Sequence, residues 1–270
     1  MGIVNVTPDS FHDGGRHADA QAAIAHGRAL AAAGAAILDV GGESTRPGAD
    51  PVGETAELSR VIPVIAALAG DGHVVSIDTR NATVMENAVN AGARMINDVS
   101  ALSHDPQSLA TATRANVAVV LMHSRGTPAD MQSQVDYDDL INDVLAALTA
   151  RIEACLGAGM DRAQLIIDPG LGFAKTAPQS AALLANMARF HALGCPVLIG
   201  ASRKSFIGGL TAAAGITATD GSNDRLPGSL AAALWAAERG AAILRVHDVK
   251  ETVQALAISR ALCYKESHRQ

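Results

Sequence analysis

Aromatic side chains are scarce. Only 3% of the 270 residues are Phe, Trp or Tyr, and there is one Trp. A core without aromatics has to be built from Ala, Val, Ile and Leu, and a hydrophobic share of 49% is enough for a large one. Cysteine is nearly missing too. Cys155, Cys195 and Cys263 are odd in number, far apart and without CxxC spacing. That argues against a disulfide framework or a zinc site and fits a reduced, cytoplasmic compartment. No apolar run approaches the ~20 residues a membrane helix needs. The opening MGIVNVTPDS has no basic region and meets Pro8 early, so no signal peptide is expected. Positive charge is also in deficit. A net charge of −6 argues against a general nucleic-acid or membrane-surface binder. Any anion site must be a local cluster of Arg, Lys or backbone amides.

Short β-rich runs are present in number. They are GIVNVT (2–7), AAILDVGG (35–42), HVVSIDT (73–79), ARMINDV (93–99), VAVVLMH (117–123), QLIIDPG (164–170), CPVLIGAS (195–202) and AAILRVH (241–247). Each is nearly continuous apolar sequence, as expected for parallel strands covered on both faces. Ala-rich helix candidates lie between them, at 19–34, 137–159 and 227–240 among others, and several end in Gly. Eight strand–helix units over this length predict a (β/α)8 TIM barrel, α/β in class, as one domain over residues 1–270. A doubly wound sheet would usually carry a GxGxxG turn after its first strand, and none is there. The stretch 209–229 is longer than a usual connection and reads as a helix with a long loop.

In such a barrel chemistry sits at the C-terminal strand ends. Those ends carry Asn5; Asp39; Asp78 and Thr79; Asn97 and Asp98; Met122 and His123; Asp168; Arg203, Lys204 and Ser205; and Arg245 and His247. Packing alone does not call for polar groups from every strand. Asp78, Asn97 and Asp168 form an acidic, amide-rich group suited to a flat heterocycle rich in N–H. Lys204, Ser205, Arg245 and His247, from strands seven and eight, form a donor-rich group where barrels often place a phosphate site. Arg46 adds a cation at the rim. Arg245 and His247 are two apart on a strand and so share a face. They either pair with carboxylates or await an anion, and SRKS on the neighbouring strand favours the anion. Asp39 and Asp98 read as structural carboxylates, each capping the helix after its strand. His123 reads as a core or supporting histidine, and Trp235 as core or an oligomer contact.

Seven segments together resemble dihydropteroate synthases. They are GIVNVTPDSFHDGG (2–15), DVGGESTRPGA (39–49), SIDT (76–79), INDVS (96–100), DPGLGFAK (168–175), SRKSFIG (202–208) and RVHDVKET (245–252). The resemblance implies condensation of a dihydropterin diphosphate with 4-aminobenzoate to give dihydropteroate and diphosphate. It implies that Asp78, Asn97, Asp168 and Lys204 hold the pterin, with Met122 along the ring. Arg245, His247, Ser205 and Arg46 would hold the diphosphate, and Asn5 would help coordinate Mg²⁺ against it. Thr45, Pro47, Phe173 and Ser205 would border the 4-aminobenzoate site, beside loops near 7–17 and 43–54. The catalytic set would be Asp78, Asp168, Lys204, Arg245 and His247. A homodimer through late helices and competition by sulfonamides are implied as well. The first strand starts at residue 2, without the further segment usual in the family, and His12 stands where Ser is common. Two alternatives stand beside this reading: a pterin-dependent methyltransferase barrel, which would keep the Asn5, Asp78, Asn97 and Asp168 set, and a catalytically silent pterin-binding module. The methyltransferase would have less reason for the SRKS and RVH motifs, because no diphosphate leaves, and nothing in the motif set looks degraded as a silent module would suggest.

Overall fold

The structure is a computed structural model, and it describes residues 1–6, 15–44, 52–127, 129–216 and 225–264. Eight parallel strands alternate with helices in chain order. They are β1 (Gly2–Asn5), β2 (Leu38–Gly41), β3 (Val75–Asp78), β4 (Met95–Asp98), β5 (Ala118–Met122), β6 (Leu165–Asp168), β7 (Leu198–Ile199) and β8 (Ile243–Leu244). The helices are α1 (Gly15–Ala32), α2 (Glu54–Gly70), α3 (Ala82–Asn90), α4 (Ser108–Ala115), α5 (Leu140–Gly157), α6 (Ala177–Ala185), α7 (Ser205–Ala213), α8 (Leu226–Glu238) and α9 (Val249–Tyr264).

β1 to β6 form one ladder in sequence order, and β7 pairs with β8. Two further parallel bridges join the pieces. Ile167 meets Val197 between β6 and β7, and Gly2 meets Val246 between β8 and β1. The Ile3 amide donates to the Val246 carbonyl at 3.1 Å, and the Ile167 amide to the Pro196 carbonyl at 2.9 Å. The ring of eight strands is therefore closed, as the alternation of elements predicts. Every expected strand is present but shorter than its apolar run, β7 most of all. The runs extend past the hydrogen-bonded ladder into the turns above it.

Strand alternation sorts the side chains into two cores. Outward residues such as Val40, Ile77, Ile96, Leu121, Ile167 and Ile199 pack under the helices in the larger core. Inward residues Met95, Val120, Ile166 and Leu198 fill the lower barrel, with Ile37, Ala118 and Ile243 against them. Small aliphatic residues suffice because the barrel interior is narrow. On most strands the next inward position is polar, as at Asp39, Asp78, Asn97, Asp168 and Arg245, whereas β5 places Met122 there. Gly200 holds the corresponding place after β7. The apolar plug thus forms the floor, and the polar layer lies at the C-terminal mouth.

Candidate active site

The polar layer is one connected network. Arg245, just past β8, donates through Nε to Asp39 Oδ2 at 2.6 Å and through a terminal nitrogen to Asp78 Oδ2 at 2.6 Å. Asn97 Nδ2 donates to the same Asp39 oxygen at 3.1 Å. Asp39, Asp78 and Asn97 are all buried. This corrects the division into an acidic half and a separate cationic half. Closure of the barrel brings strand eight against strand one, so Arg245 sits among the carboxylates. It also corrects Asp39, which faces the barrel interior and caps no helix. Asp98 does act structurally: it accepts from the Ser100 amide at 2.7 Å and the Leu102 amide at 2.9 Å, bracing the turn after β4.

Burial dominates the protonation of this layer. It pushes the Asp78 carboxyl up to about 7, with Arg245 opposing and Asp39 adding to the rise. It also raises Asp168, against the pull of Lys204. Lys204 is lowered to about 8 by the same desolvation, with Asp168 working the other way. For Arg245 desolvation is outweighed by Asp39 and Asp78, so its charge is reinforced. The mouth therefore holds two buried acids with raised affinity for protons beside two cations, an arrangement typical of functional sites.

The turn after β6 forms one wall. The Gly170 amide donates to Asp168 Oδ1 at 2.7 Å, fixing that carboxylate. Gly170 has φ +73°, and a Cβ there would lie 1.9 Å from the His123 carbonyl oxygen, so only glycine fits. Lys204, at the start of α7, donates to the Leu171 carbonyl and sits 4.5 Å above the Phe173 ring. Lys204 thus meets the Phe173 ring on one side and acts on the Asp168 carboxylate on the other. Met122 is buried at the end of β5, and Asn5 ends β1 on the same rim. Ser205 is the exposed first residue of α7, at the helix end whose dipole favours an anion. His247 accepts or donates at Nδ1 with Ser202 Oγ at 3.0 Å, and its own amide donates to that oxygen at 3.1 Å.

Thr45, Arg46 and Pro47, and most of the first loop with His12, lie outside the described residues. The flanks of the second loop are anchored. Glu43 takes two hydrogen bonds from Arg80 at 3.0 Å each and one from the Val52 amide at 3.1 Å. This nearly buried pair ties both ends of segment 45–51 to the turn after β3.

Two buried groups beside this wall were not singled out as a pair from the sequence. Lys175 Nζ lies 2.9 Å from His123 Nδ1 and donates to the Phe173 carbonyl at 2.9 Å. The available signal was a lysine closing the apolar, glycine-rich turn DPGLGFAK, where a solvated cation has no place. His123 is indeed a supporting core residue. Trp235 is not core: it is 44% exposed, with the Arg239 guanidinium 3.2 Å from its ring centre.

Residues 1–247 match the sequence pattern of a family described as "Pterin binding enzyme". The dihydropteroate synthase of Escherichia coli K12 is 45% identical over 271 residues, covering 100% of this chain and 93% of that protein. A crystal structure of the Yersinia pestis dihydropteroate synthase in a sulfonamide complex superposes with a TM-score of 0.89. It is 43% identical and covers 98% of this chain and 94% of its own. The Xanthomonas albilineans dihydropteroate synthase with 4-aminobenzoic acid gives a TM-score of 0.88 at 50% identity, covering 97% and 92%.

Proposed function

The chain belongs to the family of pterin binding enzymes, and we propose that it is a dihydropteroate synthase, acting as one barrel domain over residues 1–270. It is a transferase. The bond between the pterin methylene carbon and the diphosphate oxygen breaks, the amine nitrogen of 4-aminobenzoate bonds to that carbon, and the amine loses a proton. The observation that carries the reading is the buried layer of Asp78, Asn97 and Asp168 beside Lys204 and Arg245 at the barrel mouth.

In this reading Asp78, Asn97 and Asp168 bind the N–H groups and ring edge of the pterin, Lys204 donates to its acceptor, and Met122 packs along the ring. The dihydropterin can push electrons towards its methylene carbon, so the substitution runs through a cation-like, dissociative state. The two carboxylates stabilise that charge in a site of low polarity. Arg245 is shared. Asp39 and Asp78 take two of its five N–H donors, which leaves others for the diphosphate. Pterin N–H groups drawing on Asp78 would loosen the second bond and release the guanidinium towards the leaving group. His247, Ser205 and Arg46 complete the cradle. Thr45, Pro47 and Phe173 border the 4-aminobenzoate site, where exclusion of water would protect the cation from being trapped.

Mg²⁺ fits this donor set in one way. Among the described residues no three His, Cys, Asp or Glu side chains have metal-binding spacing. Mg²⁺ commonly keeps waters and takes few protein ligands besides phosphate oxygens. Asn5 at the rim would then hold it together with the substrate diphosphate, and bound Mg²⁺ would neutralise charge on the departing group. Exposed apolar residues on α8 and α9 suit a homodimer, namely Trp235, Val253, Ile258 and Leu262. Among the described residues no helix is long and apolar enough to cross a membrane, and a cytoplasmic site accords with the reaction's substrates.

The test is release of diphosphate by the purified chain given dihydropterin diphosphate, 4-aminobenzoate and Mg²⁺. Release should depend on both substrates, fall on chelation of Mg²⁺, and be competed by a sulfonamide against 4-aminobenzoate. Pterin binding without diphosphate release under these conditions would leave only a silent binding module.

A further inference from the structure

Lys175 and His123 are both buried, 3% and 5% exposed, and no step of the proposed reaction uses either. They touch the machinery indirectly. The Lys175 ammonium is shared among His123 Nδ1 at 2.9 Å, the Phe173 carbonyl at 2.9 Å and, more distantly, the His123 carbonyl at 3.5 Å. Three acceptors match the three donors of an ammonium. Burial holds His123 down to about 3, with Lys175 reinforcing the effect, so its ring is neutral. Nδ1 is then the acceptor, and the ring proton sits on Nε2.

The segment Lys175 grips is a wall of the mouth. From outside, the Tyr137 hydroxyl donates to the Ala174 carbonyl at 3.0 Å and Gln132 donates to the Gly172 carbonyl at 3.1 Å. From inside, among the described residues, Lys175 alone holds the Phe173 carbonyl. The Phe173 ring lies under Lys204, and Lys204 in turn is bonded to Leu171 of the same turn. Loss of the inner grip would leave the Phe173 ring free to shift, while Asp78 and Asn97 stay held by their strands and by the Arg245–Asp39 network.

We propose that Lys175 is a positioning residue for the second substrate. Bound between His123 and the Phe173 carbonyl, it holds the turn after β6 so that the Phe173 ring keeps its place at the 4-aminobenzoate site. The proposal rests on the reading of Phe173 as a border of that site. Burying a cation is costly, and desolvation lowers Lys175 to about 7, opposed by Asp168 and assisted by Lys204 and Arg125. A residue kept only for stability would be better served by an apolar chain of similar volume.

The experiment compares Lys175→Met and Lys175→Gln with the unaltered full-length chain. Initial rates give the KM for 4-aminobenzoate, and calorimetry gives the affinity for dihydropterin diphosphate with Mg²⁺. Lys175→Met should raise that KM about tenfold or more, since a misplacement near 1 Å can cost a hundredfold. Pterin affinity should change by less than about threefold. Lys175→Gln, which keeps two N–H donors, should recover part of the loss. An unchanged KM, or losses in KM and pterin affinity of equal size, would overturn the proposal. So would failure of both variants to fold, because Lys175 would then be structural. Phe173→Ala is the control: if it leaves the KM for 4-aminobenzoate unchanged, the reading of Phe173 fails, independently of Lys175.

Discussion

Asp78→Asn should make the folded chain less sensitive to alkaline pH while removing much of its affinity for pterin. The replacement is nearly isosteric, and its amide oxygen can still accept from Arg245, so the 2.6 Å contact has a successor. What disappears is the desolvated charge. The folded chain holds the Asp78 proton up to about pH 7, whereas the ordinary value is 3.8. Between those values the folded state binds more protons than the unfolded one, so this group makes stability fall as pH rises. The full gap of about three units corresponds to roughly 4 kcal/mol. Within the accessible range of pH 5 to 8, roughly 2–3 kcal/mol of it should be seen. Urea denaturation of both chains at pH 5, 6, 7 and 8 would measure it. The Asn variant should gain on the parent steadily from pH 5 to about 7 and then level off. In parallel, its affinity for dihydropterin diphosphate should fall about 10- to 100-fold, the effect of leaving a buried polar partner unsatisfied. Two stability curves that run parallel across this range would refute the reasoning. They would mean that Arg245 fully compensates the desolvation of Asp78.

Two further substitutions test the frame of the site. Gly170→Ala combines φ +73° with a Cβ 1.9 Å from a carbonyl oxygen, so it should cost at least about 3 kcal/mol in denaturant titration or prevent folding; a stable variant would mean that the turn does not press on His123. Arg245→Met strips the partner from Asp39 and Asp78 and should cost about 3–5 kcal/mol at pH 8. The loss should be smaller at pH 5, where Asp78 is protonated, and equal losses at both pH values would contradict the pairing.

The closed barrel was legible because parallel strands covered on both faces leave continuous apolar runs, and eight of them alternate with helices. The ends of those runs marked the mouth, since a polar residue terminating a buried strand must face either the barrel interior or the turn above it. Asp78, Asn97, Asp168 and Lys204 could be named in this way. The same-face pairing of Arg245 and His247 presumed a strand running through both, whereas β8 ends at Leu244, with Arg245 on Asp39 and Asp78 and His247 on Ser202.

Partnership was not legible, because it depends on which strands become neighbours across the barrel. Arg245 is separated from Asp39 by 206 residues and from Asp78 by 167. Only closure of the ring between β8 and β1 sets it between them, and with that contact a waiting anion site became a guanidinium already engaged by two acids. Asp39 looked like a cap because a strand-end carboxylate commonly serves the next helix, and nothing local distinguishes that role from an inward one. Lys175 and His123 lie 52 residues apart and meet only because the turn after β6 folds back over β5. The sequence by itself determined the barrel, its mouth and the residue types gathered there, since these depend on periodicity and order along the chain. The tertiary structure alone decided which charges neutralise which and how far burial shifts them, because both depend on distances in space and on exclusion of water.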